Sequence, residues 1–480
     1  MRAQKKLKSA AYICDVAIIG AGGSGLAAAI AAAEKGAKVV VLEKRHGTGG
    51  DTALAGGLFA AESPPLKRLK NNSNADELIK RSLSYAHWKT NPRIVRAFIM
   101  RSGDTIGWLE NMGVNFWEIA EYYPTQGPRI MHLPEGMGAG LIQVLVTRSK
   151  SLGVTLLRDT TATEILLDVK GRIVGVGAAG KEGKFRIAAK SVIVAAGGYG
   201  GNRELLKKYY PQYTDALHLV GLPHQGDGLR MAIQAGAATE GLGTLLLRGP
   251  YFRGSTQVLT VATEPLTIWV NKSGERFIDE TMGFNWPEAA NALNRQPGRV
   301  SFTLFDDAVK REFMTTGPIK GYRNPALKPL EKLDKQLRSE AAKGSVMISD
   351  RWDEIARWIG AEPEVLRRTI DEYNRSCHKG YDGLLFKERR FLWPLQTPPY
   401  YALRCCQGFL GTIGGIKINH EMEVLNEQDK VIPGLYAVGA GTGGWESDTY
   451  CLELSGSAFG FAINSGRIAG ENAVEHVSTV

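Results

Sequence analysis

The chain has 480 residues, a formal net charge of +10 and 57 glycines, and 44% of its residues are hydrophobic. This length can bury a large core and favours two domains, and the composition is typical of an α/β protein rich in tight turns. The basic residues are scattered and accompany no recognition motif, so we expect no nucleic-acid partner. No apolar run approaches the roughly 20 residues of a membrane-spanning helix, so we expect no integral membrane segment.

The cysteine pattern favours a reducing compartment. The five cysteines form no C-x-x-C motif, and the adjacent pair Cys405–Cys406 makes an improbable disulfide. We therefore expect no bound metal and a cytoplasmic location. The basic N-terminus lacks an apolar stretch, so no signal peptide is expected.

The beginning of the chain predicts a strand–turn–helix–strand unit. Asp15–Ile19 is a short apolar run typical of a buried strand, and residues 20–25 follow with the pattern G-x-G-x-x-G. The alanine-rich run Leu26–Ala33 predicts a helix, and Lys38–Leu42 predicts the next strand, which ends at Glu43. This arrangement is typical of a dinucleotide site.

Each part of this unit has a physical reason. The glycines permit a tight turn and let a diphosphate approach backbone N–H groups at the positive end of a helix. Glu43 is placed to bind both ribose hydroxyls, and its carboxylate disfavours a 2′-phosphate. The alternative is a glycine-rich turn that binds nothing.

The rest of the chain continues the α/β pattern with one interruption. Residues 46–63 predict a glycine-rich loop followed by a helix. Val154–Leu157 and the next three apolar segments alternate like antiparallel strands, and Ser191–Ala196 predicts a second buried parallel strand. Residues from about 240 to 390, with an amphipathic helix at Asp353–Arg375, change character and predict an inserted domain.

Several motifs recur in a fixed order along the chain. They are GAGGSG at 20–25, LEK at 42–44, GGDTALAGG at 49–57, VIVAAGGYGGN at 192–202, GDG at 226–228, VNKSGERFIDE at 270–280, IPGLYAVGAGTGG at 432–444 and SGSAFGFAINSGRIAG at 455–470. Together they resemble the FAD-dependent fumarate reductase/succinate dehydrogenase flavoprotein superfamily, which includes the 3-ketosteroid dehydrogenases.

The resemblance implies an α/β fold with two domains. Residues 1–239 and 391–480 would form a discontinuous FAD-binding, Rossmann-type (glutathione-reductase-like) domain. Residues 240–390 would form an inserted α+β capping domain for the substrate.

The resemblance also implies the residues that hold FAD. They are Gly20, Gly22, Gly23, Ser24, Gly25, Glu43, Lys44, Gly49, Gly50, Thr52, Ala53, Gly56, Gly57, Ala196, Gly197, Asp227, Gly439, Leu454, Ser455 and Ser457. Many relatives attach FAD covalently through a histidine in the 49–57 stretch. Asp51 and Thr52 stand there in this chain, so we expect non-covalent FAD. Thr52 either hydrogen-bonds the flavin N5 or belongs to an ordinary turn, and Asp227 either binds the cofactor or caps its helix.

The positions where fumarate reductases carry cationic or proton-donating groups differ here. The resemblance places Phe284, Leu410–Gly411 and Glu453 at three of them, and residues 248–254 lie near a fourth. Such a site cannot clamp a dicarboxylate, so we expect neither fumarate reductase nor succinate dehydrogenase activity.

Aromatic residues predominate instead, as in the ketosteroid dehydrogenase branch. They are Tyr251, Phe252, Phe284, Trp286, Phe409, Trp445 and Tyr450. Each is individually as consistent with a core position, but together they suggest a pocket for an apolar ring with a carbonyl.

The ketosteroid dehydrogenase branch also suggests catalytic roles. Tyr450 and Gly456 would hold the carbonyl, and Tyr251 would be the acid/base. Glu453 is either a buried acid or a helix-entry carboxylate. Tyr122 and Tyr123 are candidate lids or ordinary surface residues.

The favoured hypothesis is an FAD-dependent oxidoreductase that forms or reduces a C=C bond α,β to the carbonyl of a cyclic or apolar ketone. The direction stays open, and electrons would pass to or from a separate partner. One alternative is an ene-reductase for an unsaturated monocarboxylate, with Arg248, Arg253 or Arg276 as the clamp. The other is a flavoprotein subunit that only relays electrons.

Overall fold

The computed structural model describes residues 11–71, 73–120, 129–319, 328–448 and 450–479. The candidate lids Tyr122 and Tyr123 lie outside the described residues. The strands are β1 Tyr12–Ile13, β2 Val16–Ile19, β3 Val39–Leu42, β4 Leu58–Phe59, β5 Phe116–Ala120, β6 Met131–Pro134, β7 Thr155–Leu157, β8 Thr161–Leu167, β9 Ile173–Gly180, β10 Gly183–Ala188, β11 Ser191–Val194, β12 His218–Leu219, β13 Thr239–Tyr251, β14 Ile268–Val270, β15 Val300–Asp306, β16 Val346–Ser349, β17 Tyr400–Ile416, β18 Glu423–Leu425 and β19 Val431–Ala437.

The helices share the remaining chain with turns and short 3₁₀ segments. They are α1 Gly23–Glu34, α2 Pro64–Arg68, α3 Ala75–Tyr85, α4 Pro92–Asn111, α5 Met137–Ser151, α6 Arg203–Tyr209, α7 Asp227–Gln234, α8 Thr256–Val261, α9 Trp286–Asn294, α10 Asp307–Thr315, α11 Leu333–Ala342, α12 Trp352–Ile359, α13 Pro363–Lys379 and α14 Ser457–Thr479.

A six-stranded sheet in the order β18-β19-β11-β2-β3-β7 organises the molecule. Strands β19, β11, β2, β3 and β7 run parallel, and β18 pairs antiparallel at one edge. Every residue of β2, β3 and β11 is buried, as expected for parallel strands covered on both faces. The predicted strands at 15–19, 38–42 and 191–196 are therefore confirmed, as is the helix after the glycine motif.

The prediction for Val154–Leu157 is wrong. This segment forms β7, which lies parallel to β3 at the edge of the central sheet. It follows helix α5, so it returns to the sheet through a helical crossover and cannot be part of a hairpin. The antiparallel sheet that the sequence predicts contains β8, β9 and β10, with β1 added at its edge.

A second hydrophobic core lies outside the central sheet. It gathers buried residues between Phe252 and Cys405 around β14, β15, β16 and the first half of β17. The long strand β17 also pairs with β13, whose inner residues belong to the first core. The two strands therefore connect the cores, and the predicted domain division stays a prediction.

The single helix predicted over Asp353–Arg375 is two helices. Helix α12 ends at Gly360, whose φ of 88° is left-handed, and α13 begins with Pro363. Glycine ends a helix in this conformation and proline starts the next, so the apolar periodicity continues across a break.

Candidate active site

A cavity of about 860 Å³ lies at the carboxyl ends of β2, β3 and β11. In a parallel sheet this edge is where ligands bind. Its remaining walls come from the 3₁₀ segment Gly50–Leu54, from β13 and β17, and from the residues just before α14. The cavity therefore touches both cores.

The glycine turn between β2 and α1 lines this cavity. Gly20 has a φ of 109°, and a Cβ on Gly25 would lie 1.9 Å from the Gly20 carbonyl oxygen, so packing alone requires both glycines. Gly22 differs, because a Cβ there would meet only the Gly49 oxygen, at 3.9 Å. Its missing side chain leaves backbone open to the cavity, which fits a diphosphate at the N-terminus of α1.

Glu43 lies at the end of β3 and is 9% exposed. Its carboxylate accepts hydrogen bonds from the backbone N–H of Ala21 at 2.9 Å and of Arg45 at 2.9 Å. These bonds fix the carboxylate at the cavity wall. Each oxygen keeps a second lone pair for a ribose hydroxyl.

Asp227 does not cap its helix. The N-cap of α7 is Gly226, and the Asp227 carboxylate instead bonds Lys44 at 2.7 Å and Arg230 at 2.6 Å. Burial alone would raise the pKa of Asp227, but Lys44 and Arg230 outweigh it and lower that pKa. The capping alternative is therefore wrong, while Asp227 and Lys44 both line the cavity.

Asp51 and His224 form a pair at the cavity wall that the sequence analysis did not single out. The two side chains lie 2.9 Å apart, and the other Asp51 oxygen accepts a hydrogen bond from Leu222 N–H at 2.8 Å. Asp51 thus ties the 3₁₀ segment to the loop before α7. The adjacent Thr52 packs beside Gly23, where a Cβ would lie 2.6 Å from its hydroxyl oxygen.

The segment before α14 brings Tyr450 and Gly456 to the cavity. The Tyr450 hydroxyl accepts a hydrogen bond from Ala458 N–H, in the first turn of α14, at 3.0 Å. Burial raises the pKa of Tyr450, and the neighbouring Ser457 partly opposes this. The hydroxyl therefore stays protonated and can still donate one hydrogen bond.

Most of the residues predicted to hold FAD line the cavity. They are Gly20, Gly22, Gly23, Ser24, Glu43, Lys44, Gly50, Thr52, Ala53, Gly56, Gly57, Ala196, Gly197 and Asp227. The others are not at the wall itself. Gly25, Gly49, Gly439, Ser455 and Ser457 adjoin lining residues in the sequence, and Leu454 lies two residues from Leu452 and from Gly456.

Two predicted catalytic residues do not reach the cavity. The Glu453 side chain is 46% exposed and pairs with Arg81 at 3.3 Å, so it is not a buried acid. Tyr251 stacks on His218 with ring centroids 5.6 Å apart and is absent from the cavity lining. Glu453 lies in the 3₁₀ turn Leu452–Leu454, which precedes α14.

The three arginines considered as clamps occupy different places. Arg276 is buried in an ion cluster with Glu280 at 2.8 Å and Asp382 at 2.9 Å, away from the cavity. Arg253 is exposed. Arg248 lines the cavity, is 5% exposed, and places its guanidinium carbon 4.1 Å from the ring centroid of Trp286.

Of the predicted aromatic pocket, Trp286 and Tyr450 line the cavity. Phe252 and Phe409 are buried in the two cores, and Trp445 stacks on Phe461 with centroids 4.3 Å apart. Lining residues that the sequence analysis missed are mainly apolar or small; they include Thr160, Ala162, His224, Met231, Leu246, Leu247, Leu259 and Ile413. Only His224, next to the GDG motif, carried a sequence signal.

The family model described as an FAD binding domain matches residues 15–450. The chain belongs to this family. The open backbone at Gly22, the anchored Glu43 and the cavity beside them fit FAD, which is the cofactor of this chain. Whether FAD is covalently attached stays a prediction.

Individual relatives support the same class of chemistry. The chain is 31% identical to vinyl phenol reductase of Lactiplantibacillus plantarum over 96% of both chains. It is 29% identical to fumarate reductase (cytochrome) of Shewanella frigidimarina over 96% of this chain and 77% of that one. The chain is therefore an FAD-dependent oxidoreductase that acts on C=C bonds.

A solved structure shares the fold. The 3-ketosteroid delta1-dehydrogenase of Sterolibacterium denitrificans, in complex with 1,4-androstadiene-3,17-dione, superposes with a TM-score of 0.81. The match is 19% identical and covers 97% of this chain and all of that one.

The described residues also bear on metals and membranes. They contain no cluster of His, Cys, Asp or Glu able to hold a metal ion. All five cysteines are free. Within the same residues, no helix has the length and apolar character needed to cross a membrane.

Proposed function

We propose that this chain reduces the C=C bond of a flat, mostly apolar substrate that carries one anionic oxygen, with Arg248 holding that oxygen. The observation that carries the proposal is the position of Arg248. It is the one arginine of the three candidates that lines the cavity, and it is almost fully buried there.

The surroundings of Arg248 favour an aromatic or conjugated substrate. Trp286 covers one side of the guanidinium, and Leu246, Leu247 and Leu259 supply apolar wall. A buried arginine binds a carboxylate or phenolate oxygen strongly, because both bond and charge are sheltered from water. An aryl alkene with one such oxygen fits this combination, which is why the name of the vinyl phenol reductase relative is relevant.

The uncharged ketone favoured by the sequence is the second candidate. It draws support from Tyr450, whose hydroxyl is available at the cavity wall. It loses the predicted acid/base Tyr251, which lies elsewhere. An anionic substrate uses both Arg248 and Tyr450, so it accounts for more of the site.

The chain's own residues have three tasks in this reaction. FAD, when bound, supplies hydride chemistry at its ring system. Arg248 fixes the oxygen end of the substrate and thereby orients the C=C bond. The leucines and Trp286 exclude water, and Tyr450 offers a proton at the cavity wall.

Anaerobic reoxidation of chemically reduced protein tests the proposal. A vinyl phenol, an aryl acrylate, an uncharged cyclic enone and fumarate are mixed separately with the protein, and flavin absorbance is followed. We expect the aryl alkenes that carry a carboxylate or a phenol oxygen to react fastest. Fumarate should stay near background, because Leu410 and Gly411 line the cavity where the family resemblance places proton-donating groups of fumarate reductases. Arg248→Gln should lower kcat/KM for the preferred alkene about 10- to 100-fold, the value of one or two charge-assisted hydrogen bonds.

Arg253→Gln tests the neighbouring exposed arginine and should change kcat/KM less than about twofold, as for surface substitutions. Fumarate turnover of about 1 s⁻¹ or more, within the ordinary range of enzymes, would contradict the proposal. Equal loss in both arginine variants would remove Arg248 as the anchor. A flavin that bleaches and reoxidises with no alkene would instead favour an electron-relay protein.

A further inference from the structure

A buried carboxyl group, Glu446, lies behind the cavity wall. It is 5% exposed, and its Oε1 accepts a hydrogen bond from Cys451 N–H at 3.4 Å. Among the described residues, no lysine, arginine or histidine pairs with it. Burial raises the pKa of Glu446 to about 8, so this acid is largely protonated at neutral pH.

Two hydroxyl groups connect Glu446 to the cavity. Ser457 is buried, and it lowers the pKa of both Glu446 and Tyr450 against the larger effect of burial. The Ser457 hydroxyl has no hydrogen-bond partner among the described residues, and Ser457 adjoins Ala458, whose N–H bonds the Tyr450 hydroxyl. Tyr450 in turn lines the cavity. The Glu446 carboxyl, the Ser457 hydroxyl and the Tyr450 hydroxyl thus form a series of proton-carrying groups that ends at the cavity.

Tyr85 lies on the outer side of this series. Its hydroxyl is buried without a hydrogen-bond partner among the described residues, and burial and the charge of Glu446 both raise its pKa. Tyr85 also lines a surface depression together with Arg81, Glu288 and Glu453. Tyr85 therefore lies within electrostatic reach of Glu446 and also lines a depression at the protein surface.

We propose that Glu446 stores a proton and passes it through Ser457 and Tyr450 to the substrate carbon during C=C reduction. The inference rests on the proposed function. Reduced FAD, when bound, would supply the hydride equivalent for one alkene carbon, and Tyr450 gives its proton to the other, so that one π bond breaks and two C–H bonds form. Tyr450 regains its proton from Ser457 and Ser457 from Glu446, which is left as a carboxylate until solvent reprotonates it on the Tyr85 side.

The groups that face Glu446 set its titration. They are Tyr450, Ser457, Cys451 and Tyr85, with Glu288 and Glu453 further out at the depression. Burial raises the pKa values of Tyr450, Cys451 and Tyr85 above their usual ranges. Those three groups stay protonated while Glu446 titrates. Glu446 acts through Tyr450, so it is a positioning and relay residue.

A matched control exists in the other core. Glu264 is also buried, accepts a hydrogen bond from Ile319 N–H at 2.9 Å, and has a pKa that burial raises to about 8. It does not line the cavity. Glu264→Gln therefore removes an equivalent buried acid without touching the relay.

The first measurement is an infrared pH titration of the FAD-loaded protein. The carbonyl stretch of protonated carboxylic acids should persist in wild type at pH 6 and decline as pH rises past about 8. Glu446→Gln and Glu264→Gln should each remove one component of that band. A band unchanged by Glu446→Gln would show that Glu446 stores no proton and would overturn the inference.

The second measurement is single-turnover reoxidation of the reduced protein. With the alkene that wild type reduces fastest, Glu446→Gln should react about 10²- to 10⁴-fold more slowly, the contribution of general acid catalysis. Its rate should lack the decline above about pH 8 that wild type shows. Glu446→Asp should recover part of the rate, Glu264→Gln should match wild type, and reoxidation by ferricyanide should be equal in all four proteins.

The outcomes separate the two hypotheses. Equal alkene rates in wild type and Glu446→Gln would overturn the relay and leave the proposed function intact. Slowing of the ferricyanide reaction to the same extent would show that Glu446 is merely structural. Wild-type protein that reduces no alkene, with the infrared band present, would overturn the proposed function and the relay with it.

Discussion

Tyr450 lies between the cavity and the buried residues Glu446 and Ser457 of the proposed relay. Its ring is buried, its hydroxyl bonds the first turn of α14, and part of the side chain faces the cavity. In a purely structural position, a buried tyrosine hydroxyl would use its donor as well as its acceptor in hydrogen bonds within the protein. Tyr450 retains a donor proton because its fixed bond uses the oxygen as acceptor.

Tyr450→Phe should slow flavin reoxidation by the alkene about 10²- to 10⁴-fold, the usual contribution of a general acid, because it removes the proton that Tyr450 gives to the substrate carbon. The flavin spectrum should be unchanged, because the ring keeps its packing. Single-turnover stopped-flow measures this step without product release. A core role alone would cost about 1 kcal/mol of stability for the lost bond to Ala458 and would leave the rate unchanged.

Single residues also show where sequence reasoning stops. Gly20, Gly22 and Glu43 could be placed because one continuous strand–turn–helix–strand unit fixes their spacing. Glu453 and Tyr251 could not, since burial and side-chain direction depend on segments far apart in sequence. Arg248 reaches the cavity because β13 pairs with β17. The register of that pairing depends on tertiary contacts and is not encoded by a local sequence pattern. Glu446 lies outside every sequence motif of the chain described above.

At the scale of helices and strands, an element can be predicted from the sequence when its own residues determine its structure. The unit from β2 to β3 was predictable because its strands are wholly apolar and its turn demands glycine. The edge strand β7 was not, because its pairing with β3 comes through a helix. Apolar periodicity likewise ran through the break between α12 and α13, which only Gly360 and Pro363 marked.

The β2–α1–β3 unit should control FAD binding. Purified protein should be yellow and release FAD on acid precipitation, since Asp51 and Thr52 occupy the stretch in which the family resemblance implies an attaching histidine for covalent flavin. Glu43→Arg should raise the Kd for FAD by at least about 10-fold, because it replaces an acceptor that faces the ribose by a cation and strands two backbone N–H groups. Fluorescence of FAD after ultrafiltration measures the Kd, and circular dichroism checks folding.

Glu182→Arg is the control for Glu43→Arg. It makes the same change of charge on an exposed residue of the β9–β10 hairpin and should leave the Kd unchanged. Flavin that stays with the precipitated polypeptide would contradict the non-covalent prediction. A Glu43→Arg protein that folds and binds FAD as wild type does would exclude the ribose role.

At the scale of the whole molecule, each core carries buried ionisable groups. The second core encloses Arg276, Glu280, Asp382 and Lys387, whose charges compensate one another at 2.8 to 3.1 Å. Glu264 and Glu446 differ because no cation pairs with them among the described residues. At neutral pH burial therefore keeps both acids largely protonated in the folded state, whereas in the unfolded state they are charged.

This difference makes folding stability depend on pH. The pKa of each acid is about 8 when folded against 4.5 as the ordinary value, so the folded state binds more protons between those limits. Stability from this source is complete below about pH 4.5 and is lost as pH rises to about 8. His132, whose pKa burial lowers to about 4, acts in the opposite sense between pH 4 and 6.5.

Glu264→Gln and Glu446→Gln should therefore gain stability relative to wild type as pH rises from 5 to 9. The upper bound is about 5 kcal/mol for each site, from 1.36 kcal/mol per pKa unit. Urea unfolding at a fixed FAD concentration measures the change, because bound cofactor shifts apparent stability. The His132 effect is common to all three proteins and cancels in the difference. A stability difference independent of pH at either site would mean that its carboxyl group is ionised in the folded protein, and at Glu446 this would also remove the stored proton on which the relay depends.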